Sequence, residues 1–230
     1  MVAFSEGLGD LDKTSFLNDG CWLGRLVVGA GELSGAMVLR SVKRPRPVSS
    51  DRCGVREGAT RAARAARLFV VANDLRAWVT LTFRRPVGAR QAAHEMKLFM
   101  RRCNHGRDPF PFMWTLERGS KRGRVHGHLL LPATLGPLAV DHWNKGGVDL
   151  VIKPEGFQAL RESAGYMAKS FDTPVLDAQR YRIPKGFQPE VIKIDAPTSE
   201  LLIVEAEARM GAYAITHRRS GLVVSAQWES

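Results

Sequence analysis

The sequence predicts an α+β fold, an antiparallel β-sheet with helices packed on one face in two layers. Three observations carry that expectation. From Ala77 onward the patterns run strand, helix, strand, strand, short helix, strand, helix, a series that suits a sheet with helices segregated from it. At the centre, Phe112–Pro132 reads FMWTLERGSKRGRVHGHLLLP. Two apolar runs, Phe112–Leu116 and Leu129–Leu131, flank a turn-forming stretch with two glycines and the cations Arg118, Lys121, Arg122 and Arg124. That is the pattern of a β-hairpin with a basic loop. Finally, a chain of 230 residues, 44% hydrophobic and 25% charged, is long and apolar enough to bury a full core.

In chain order, Met1–Asp19 shows little periodicity, and poor order is expected there. Trp22–Val28 and Ala36–Val42 suggest a small hairpin around the Gly-rich Gly29–Gly35. Lys43–Ser50, KRPRPVSS, with two prolines and three cations, reads as an exposed linker. Helical signals begin near Glu57, where Arg61, Arg64 and Arg67 recur every third residue among alanines. Such a stripe is either a solvated face or a set of phosphate contacts. Ala77–Phe83, AWVTLTF, reads as a buried strand, and Ala89–Cys103 as an amphipathic helix with Ala92, Met96, Phe99 and Cys103 on one face.

Beyond the hairpin, Leu138–Asn144 suggests a short helix, Gly147–Ile152 a strand and Gly156–Ser170 a helix. Tyr181–Pro189 is too rich in Pro and Gly for regular structure. Thr198–Met210 reads as a helix, and Ala212–His217 with Leu222–Gln227 as a terminal hairpin turning at RRSG. The expected organisation is an N-terminal extension (1–56), a core (57–190) and a C-terminal helix and hairpin (191–230).

A net charge of +11 points to a polyanionic partner, most simply nucleic acid. No strongly basic amphipathic helix favours a membrane surface instead. The apolar stretch Cys21–Leu39 is broken by Arg25 and Glu32 and has four glycines, so it reads as neither a membrane span nor a signal peptide. Cys21, Cys53 and Cys103 are odd in number and widely spaced, which suits free thiols in a reducing cytoplasm.

The hairpin also concentrates the chemistry. Residues two apart on a strand share a face, so His126 and His128 should project together. Glu117, near the end of the partner strand, can lie opposite one of them. A carboxylate and two imidazoles converging from neighbouring strands could hold a divalent metal with positions left open. On the later helix, Tyr166 and Lys169 are three residues apart and lie on one face. His94 and His105 read as surface residues, His142 as a packing or phosphate-contacting residue, and His217 as part of a turn. The five tryptophans are mostly core candidates, with one available to stack on a base.

At these residues the chain resembles the HUH endonucleases, in particular the single-tyrosine initiators of rolling-circle replicons such as filamentous phages and small plasmids. VTLTF at Val79–Phe83 looks like the family's first motif, RVHGHLLLP at Arg124–Pro132 is similar to its His-hydrophobic-His motif, and AGYMAK at Ala164–Lys169 to its tyrosine motif. Glu117, nine residues before His126, resembles the third metal ligand. The likeness runs from about Glu57 to Phe187 and leaves both ends uncovered. It departs at Gly127, where the family usually carries a bulky apolar residue; that side chain would point away from the metal.

The resemblance implies a ferredoxin- or RRM-like core and a nicking-joining reaction on single-stranded or hairpin origin DNA. It implies Mn²⁺ or Mg²⁺ on Glu117, His126 and His128, and Tyr166 as the nucleophile, leaving a 5′-phosphotyrosine and a free 3′-OH. Lys169 would lower the pKa of the phenol or hold the phosphate. Arg61, Arg64, Arg67, Lys121, Arg122 and Arg124 would contact DNA. A host helicase as partner and the cytoplasm of a bacterial host are further implications. A single-strand transposase would share the paired histidines and helical tyrosine, whereas Glu117 and KGFQP at Lys185–Pro189 favour the initiator. A non-catalytic binding module of the RNA-recognition type would display its aromatic strand signature, which the sequence lacks.

Overall fold

The computed structural model describes residues 20–39, 51–119, 123–169, 181–212, 214, 216–220 and 223–228. Met1–Asp19 and the linker Lys43–Ser50 lie outside them. In chain order the elements are β1 (Gly20–Val27), β2 (Glu32–Leu39), α1 (Asp51–Ala72), β3 (Ala77–Thr82) and α2 (Ala89–Asn104). There follow β4 (Met113–Arg118), β5 (Val125–Leu131), α3 (Gly136–His142), β6 (Val148–Ile152) and α4 (Phe157–Lys169). The chain continues through β7 (Tyr181–Arg182), β8 (Val191–Ala196), α5 (Ser199–Met210), β9 (Thr216–Ser220) and β10 (Val223–Gln227). The fold is α+β, as the order of patterns implies. No helix among the described residues is long and apolar enough to cross a membrane.

The chain divides into two compact units. One is a five-stranded sheet in the order β8-β1-β2-β10-β9, with α5 packed on it. Strands from both ends of the sequence therefore share a sheet. Leu202 of α5 reaches the backbone of β1 and β2 because Gly24 and Gly35 lie beneath it. A Cβ on either would come within 2.8 and 2.4 Å, respectively, of a Leu202 methyl carbon. Thr198 caps α5 by accepting a hydrogen bond from the Leu201 N–H at 3.2 Å, and Gly211 ends it in the left-handed region at φ 67°.

Two expectations for this unit need correction. Arg218 and Arg219 belong to β9, opposite Ser225 and Val224, and are not in the turn. A strand at the sheet edge tolerates charge, since its outer side stays solvated. VIKIDA at Val191–Ala196 forms β8, which was not anticipated although its alternation buries Ile194 and Ala196.

The other unit carries a second five-stranded sheet, in the order β6-β3-β5-β4-β7. β3, β5 and β4 pair antiparallel, with Thr80 opposite His128 and His128 opposite Thr115. Tyr181 and Arg182 break the expectation of an irregular Tyr181–Pro189: they pair with Thr115 and Trp114 as edge strand β7. Pro184, the first proline, falls just after them, where an edge strand can end without losing a ladder bond.

Strand alternation divides the sheet into two faces. Val79, Leu81, Trp114, Leu116, Leu129 and Leu131 point to one and pack against Met96, Phe99 and Cys103 of α2 and Ala139 of α3. Met113 and Leu130 point to the other, where Phe69 and Val70 of α1 and Leu160, Ala164 and Met167 of α4 cover one end. A second pair of helices thus occupies part of the opposite face. Asn73, following α1, donates from Nδ2 to the Phe187 carbonyl at 3.0 Å and ties KGFQP to this cluster.

Candidate active site

The uncovered part of the second face carries an ordered grid of polar side chains. β3 contributes Thr80 and Thr82, β5 His128 and His126, and β4 Thr115 and Glu117, paired row by row across the three strands. Two residues toward the helices, Trp78, Leu130 and Met113 form the apolar row where the α1–α4 cluster begins. The site therefore sits where a hydrophobic face changes to a polar one.

Glu117 lies directly opposite His126, yet its carboxylate bonds the diagonal neighbour. His128 Nε2 and Glu117 Oε2 are 3.0 Å apart. A glutamate is long enough for that diagonal reach. The His126 ring turns instead toward Gly119, where a Cβ would come within 2.9 Å of Nε2. So the structure brings together two of the three expected ligands. Among the described residues, no three His, Cys, Asp or Glu side chains cluster as a metal site.

Behind His128, Thr80 Oγ1 approaches Nδ1 at 3.4 Å and accepts a hydrogen bond from Trp78 Nε1 at 3.2 Å. Burial pushes the His128 imidazole below its usual pKa; the Glu117 carboxylate opposes that shift and the charge of His126 adds to it. With the ring neutral and Nε2–H donating to Glu117, Nδ1 accepts from the Thr80 hydroxyl.

α4 delivers the phenol. Leu160, Ser163, Ala164 and Met167 bury one side of the helix, which leaves Tyr166 and Lys169 on its outward side. The Tyr166 hydroxyl donates to Glu117 Oε2 at 3.4 Å, and its ring stands edge-on to Trp78 and His128, with centroids 5.3 and 5.7 Å away. Tyr166 is 43% exposed, so the phenol is reachable. Desolvation, then the charge and hydrogen bond of Glu117, raise its pKa. Lys169 Nζ lies 5.2 Å from the centre of the Tyr166 ring, over its face. That contact differs from the expected one with the phenolic oxygen, and the raised pKa is the opposite of what was expected from Lys169.

The remaining expected residues are more dispersed. Arg61, Arg64 and Arg67 lie on α1 and each takes part in interactions within the chain; Arg64 and Arg67 are half-buried. Lys121 and Arg122 fall outside the described residues, while Arg124 is exposed just before β5. His94 and His105 are exposed, and Trp143 is core, its Nε1 donating to the Thr82 carbonyl at 3.1 Å. Trp78 and Thr80 were missed as site residues. The signal was in AWVTLTF: alternate residues of a strand beside the histidine strand must face the histidines.

An antiparallel α+β sheet whose polar face joins a carboxylate, an imidazole and a helix-borne phenol has the parts of a phosphodiester-transferring site. Residues 76–173, less than half of the chain, match a family model described as a Replication-associated protein of the ORF2 type. The matched stretch contains all of the grid and Tyr166. This similarity supports a replication-associated protein at the level of the family. No curated protein and no solved structure matches the chain.

Proposed function

We propose that this chain is a replication initiator of the HUH single-tyrosine kind, which nicks single-stranded or hairpin origin DNA and can rejoin it. The observation that carries this reading is the convergence of Tyr166 Oη and His128 Nε2 on the same oxygen of Glu117. It lies inside the stretch similar to replication-associated proteins.

The donors fit a divalent ion such as Mn²⁺ or Mg²⁺. Glu117 Oε2 and His128 Nε2 already face one another, and His126 stands on the same face one row along. Glu117, His126 and His128 would hold the ion, which would withdraw charge from a scissile phosphate oxygen.

The chain's own groups do the rest. Tyr166 Oη attacks phosphorus, its proton facing Glu117 Oε2, the acceptor it already has. A bond forms between the phenolic oxygen and phosphorus as the bond to the 3′ oxygen breaks. The products are a 5′-phosphotyrosine and a 3′-OH. The ester conserves the linkage, so a 3′-OH can reverse the step. Trp78, packed edge-on against the phenol, holds the ring in place. Surplus cations on the chain would draw in the strand, with origin DNA in a bacterial cytoplasm as substrate and a host helicase as partner.

Intact-mass spectrometry after incubation with Mn²⁺ and candidate origin oligonucleotides tests the reading. The expected result is a covalent DNA adduct mapping to Tyr166 and absent from Tyr166→Phe. An adduct retained by Tyr166→Phe would remove the nucleophile assignment.

A further inference from the structure

Beside the grid, at the end of β3 and the start of β5, is a cavity of about 200 Å³. Its walls are of two kinds. Phe83, Pro86 and Val87 are apolar, while Arg85 and Arg124 bring two guanidiniums from opposite strands' ends. Both arginines are exposed, and neither forms an ion pair with a described residue. His126 and Thr82 also line it; they are paired across β5 and β3 and belong to the site's polar grid, so cavity and site share a wall.

We propose that this cavity seats one nucleotide of the single strand, the one adjoining the linkage held at Glu117, His128 and Tyr166. Arg85 and Arg124 grip its phosphate, and the apolar wall takes the base or sugar. The inference rests on the nicking reading for its register and deepens it by naming where the strand continues. Two points favour a nucleotide over a small anion. A phosphate alone needs no apolar wall, and guanidiniums match phosphate oxygens in fork geometry. The step from His128 to His126 is two strand residues, or about 7 Å, which suits adjoining phosphates of one extended chain. The turned His126 ring also acquires a role, because it lines the cavity between the two phosphates.

The test uses the full chain and a fluorescein-labelled oligo-dT strand, with anisotropy read over a series of salt concentrations. Arg85→Gln/Arg124→Gln is compared with Arg101→Gln, an exposed arginine on α2, the helix that packs on the opposite face of the sheet. The double variant should bind roughly tenfold more weakly at fixed salt. Its slope of log binding constant against log salt should fall in magnitude by about 0.7, the value for one phosphate contact on a single strand. Arg101→Gln should move neither, and thermal midpoints should stay equal because all three side chains are exposed. A double variant indistinguishable from Arg101→Gln overturns the proposal. Because the readout is binding, it separates from the nicking reading. If no Tyr166 adduct forms but the double variant still weakens and loses slope, nicking fails and the cavity stands. If the adduct forms and the double variant matches the control, the cavity fails alone.

Discussion

His128 Nε2 meets Glu117 Oε2 at 3.0 Å although the residue paired with Glu117 across the strands is His126. The diagonal contact decides which groups surround the phenol. It places a single carboxylate oxygen between an imidazole and the Tyr166 hydroxyl, and it leaves His126 to face the neighbouring cavity.

Thr80 is the residue that lets His128 serve as a ligand. For the imidazole to coordinate through Nε2, its proton has to sit on Nδ1, which faces Thr80 Oγ1 at 3.4 Å. Trp78 Nε1 already donates to that oxygen, which fixes the threonine rotamer. Thr80→Val keeps the shape and removes the acceptor. Mn²⁺ affinity measured by titration calorimetry should drop about 10- to 100-fold, with the fold intact by circular dichroism. Unchanged affinity would mean that His128 does not ligate through Nε2 or needs no partner at Nδ1.

Lys169 should contribute modestly. Its ammonium lies over the face of Tyr166, not at the oxygen, so its stabilisation is that of a half-open cation–π contact. Lys169→Met is expected to slow adduct formation by roughly two- to fivefold, with Lys169→Arg close to wild type. A thousandfold loss in quenched-flow measurements would place the ammonium on the phosphate or phenolate during the reaction.

The hairpin, its register and the faces of its side chains were legible in the sequence because period-two alternation and a turn-rich centre leave few alternatives. Glu117 near the histidines, and Tyr166 with Lys169 on one helix face, follow from the same periodicities. What stayed hidden depends on contacts remote in sequence. The diagonal reach of Glu117, the turn of His126, and Trp78 under the phenol are side-chain choices that pairing does not dictate. The union of strands from the two ends in one sheet was equally hidden, because neither end has a motif that names its partner. The last hairpin was misplaced because RRSG carries turn composition, whereas an edge strand also accepts cations.

Gly127, the departure from the expected bulky residue, has a physical counterpart in α2. A Cβ there would come within 2.8 Å of Met96 Sδ, and Met96 is fully buried. The volume a side chain would occupy between the histidines is filled from the helix side. Gly127→Val should therefore cost about 1–3 kcal/mol in urea unfolding. In a Met96→Ala background the same substitution should cost much less or become stabilising, a coupling that a double-mutant cycle reads directly. Additive effects would mean that Met96 is not what excludes the side chain.

Cys103 supplies a pH dependence that does not involve the site. Its thiol is 1% exposed in the α2 core, and burial pushes its pKa up to about 11, against the opposing pull of Arg102 and Arg107. A thiol with a raised folded-state pKa stabilises the protein fully below the unfolded value, ordinarily about 8.5. As pH rises past that value the unfolded chain gives up the proton first, so stability declines until the folded thiol also ionises near 11. The slope from this one group is at most about 1.4 kcal/mol per pH unit. Urea midpoints taken from pH 8 to 11 should thus fall more steeply in wild type than in Cys103→Ala, which removes the titration and leaves other groups in place. In the folded protein at pH 8, Ellman's reagent should label the half-exposed Cys21 well before Cys103. Equal slopes in the two proteins, or prompt labelling of Cys103 without unfolding, would show that the thiol is neither as buried nor as reluctant to ionise as its packing implies.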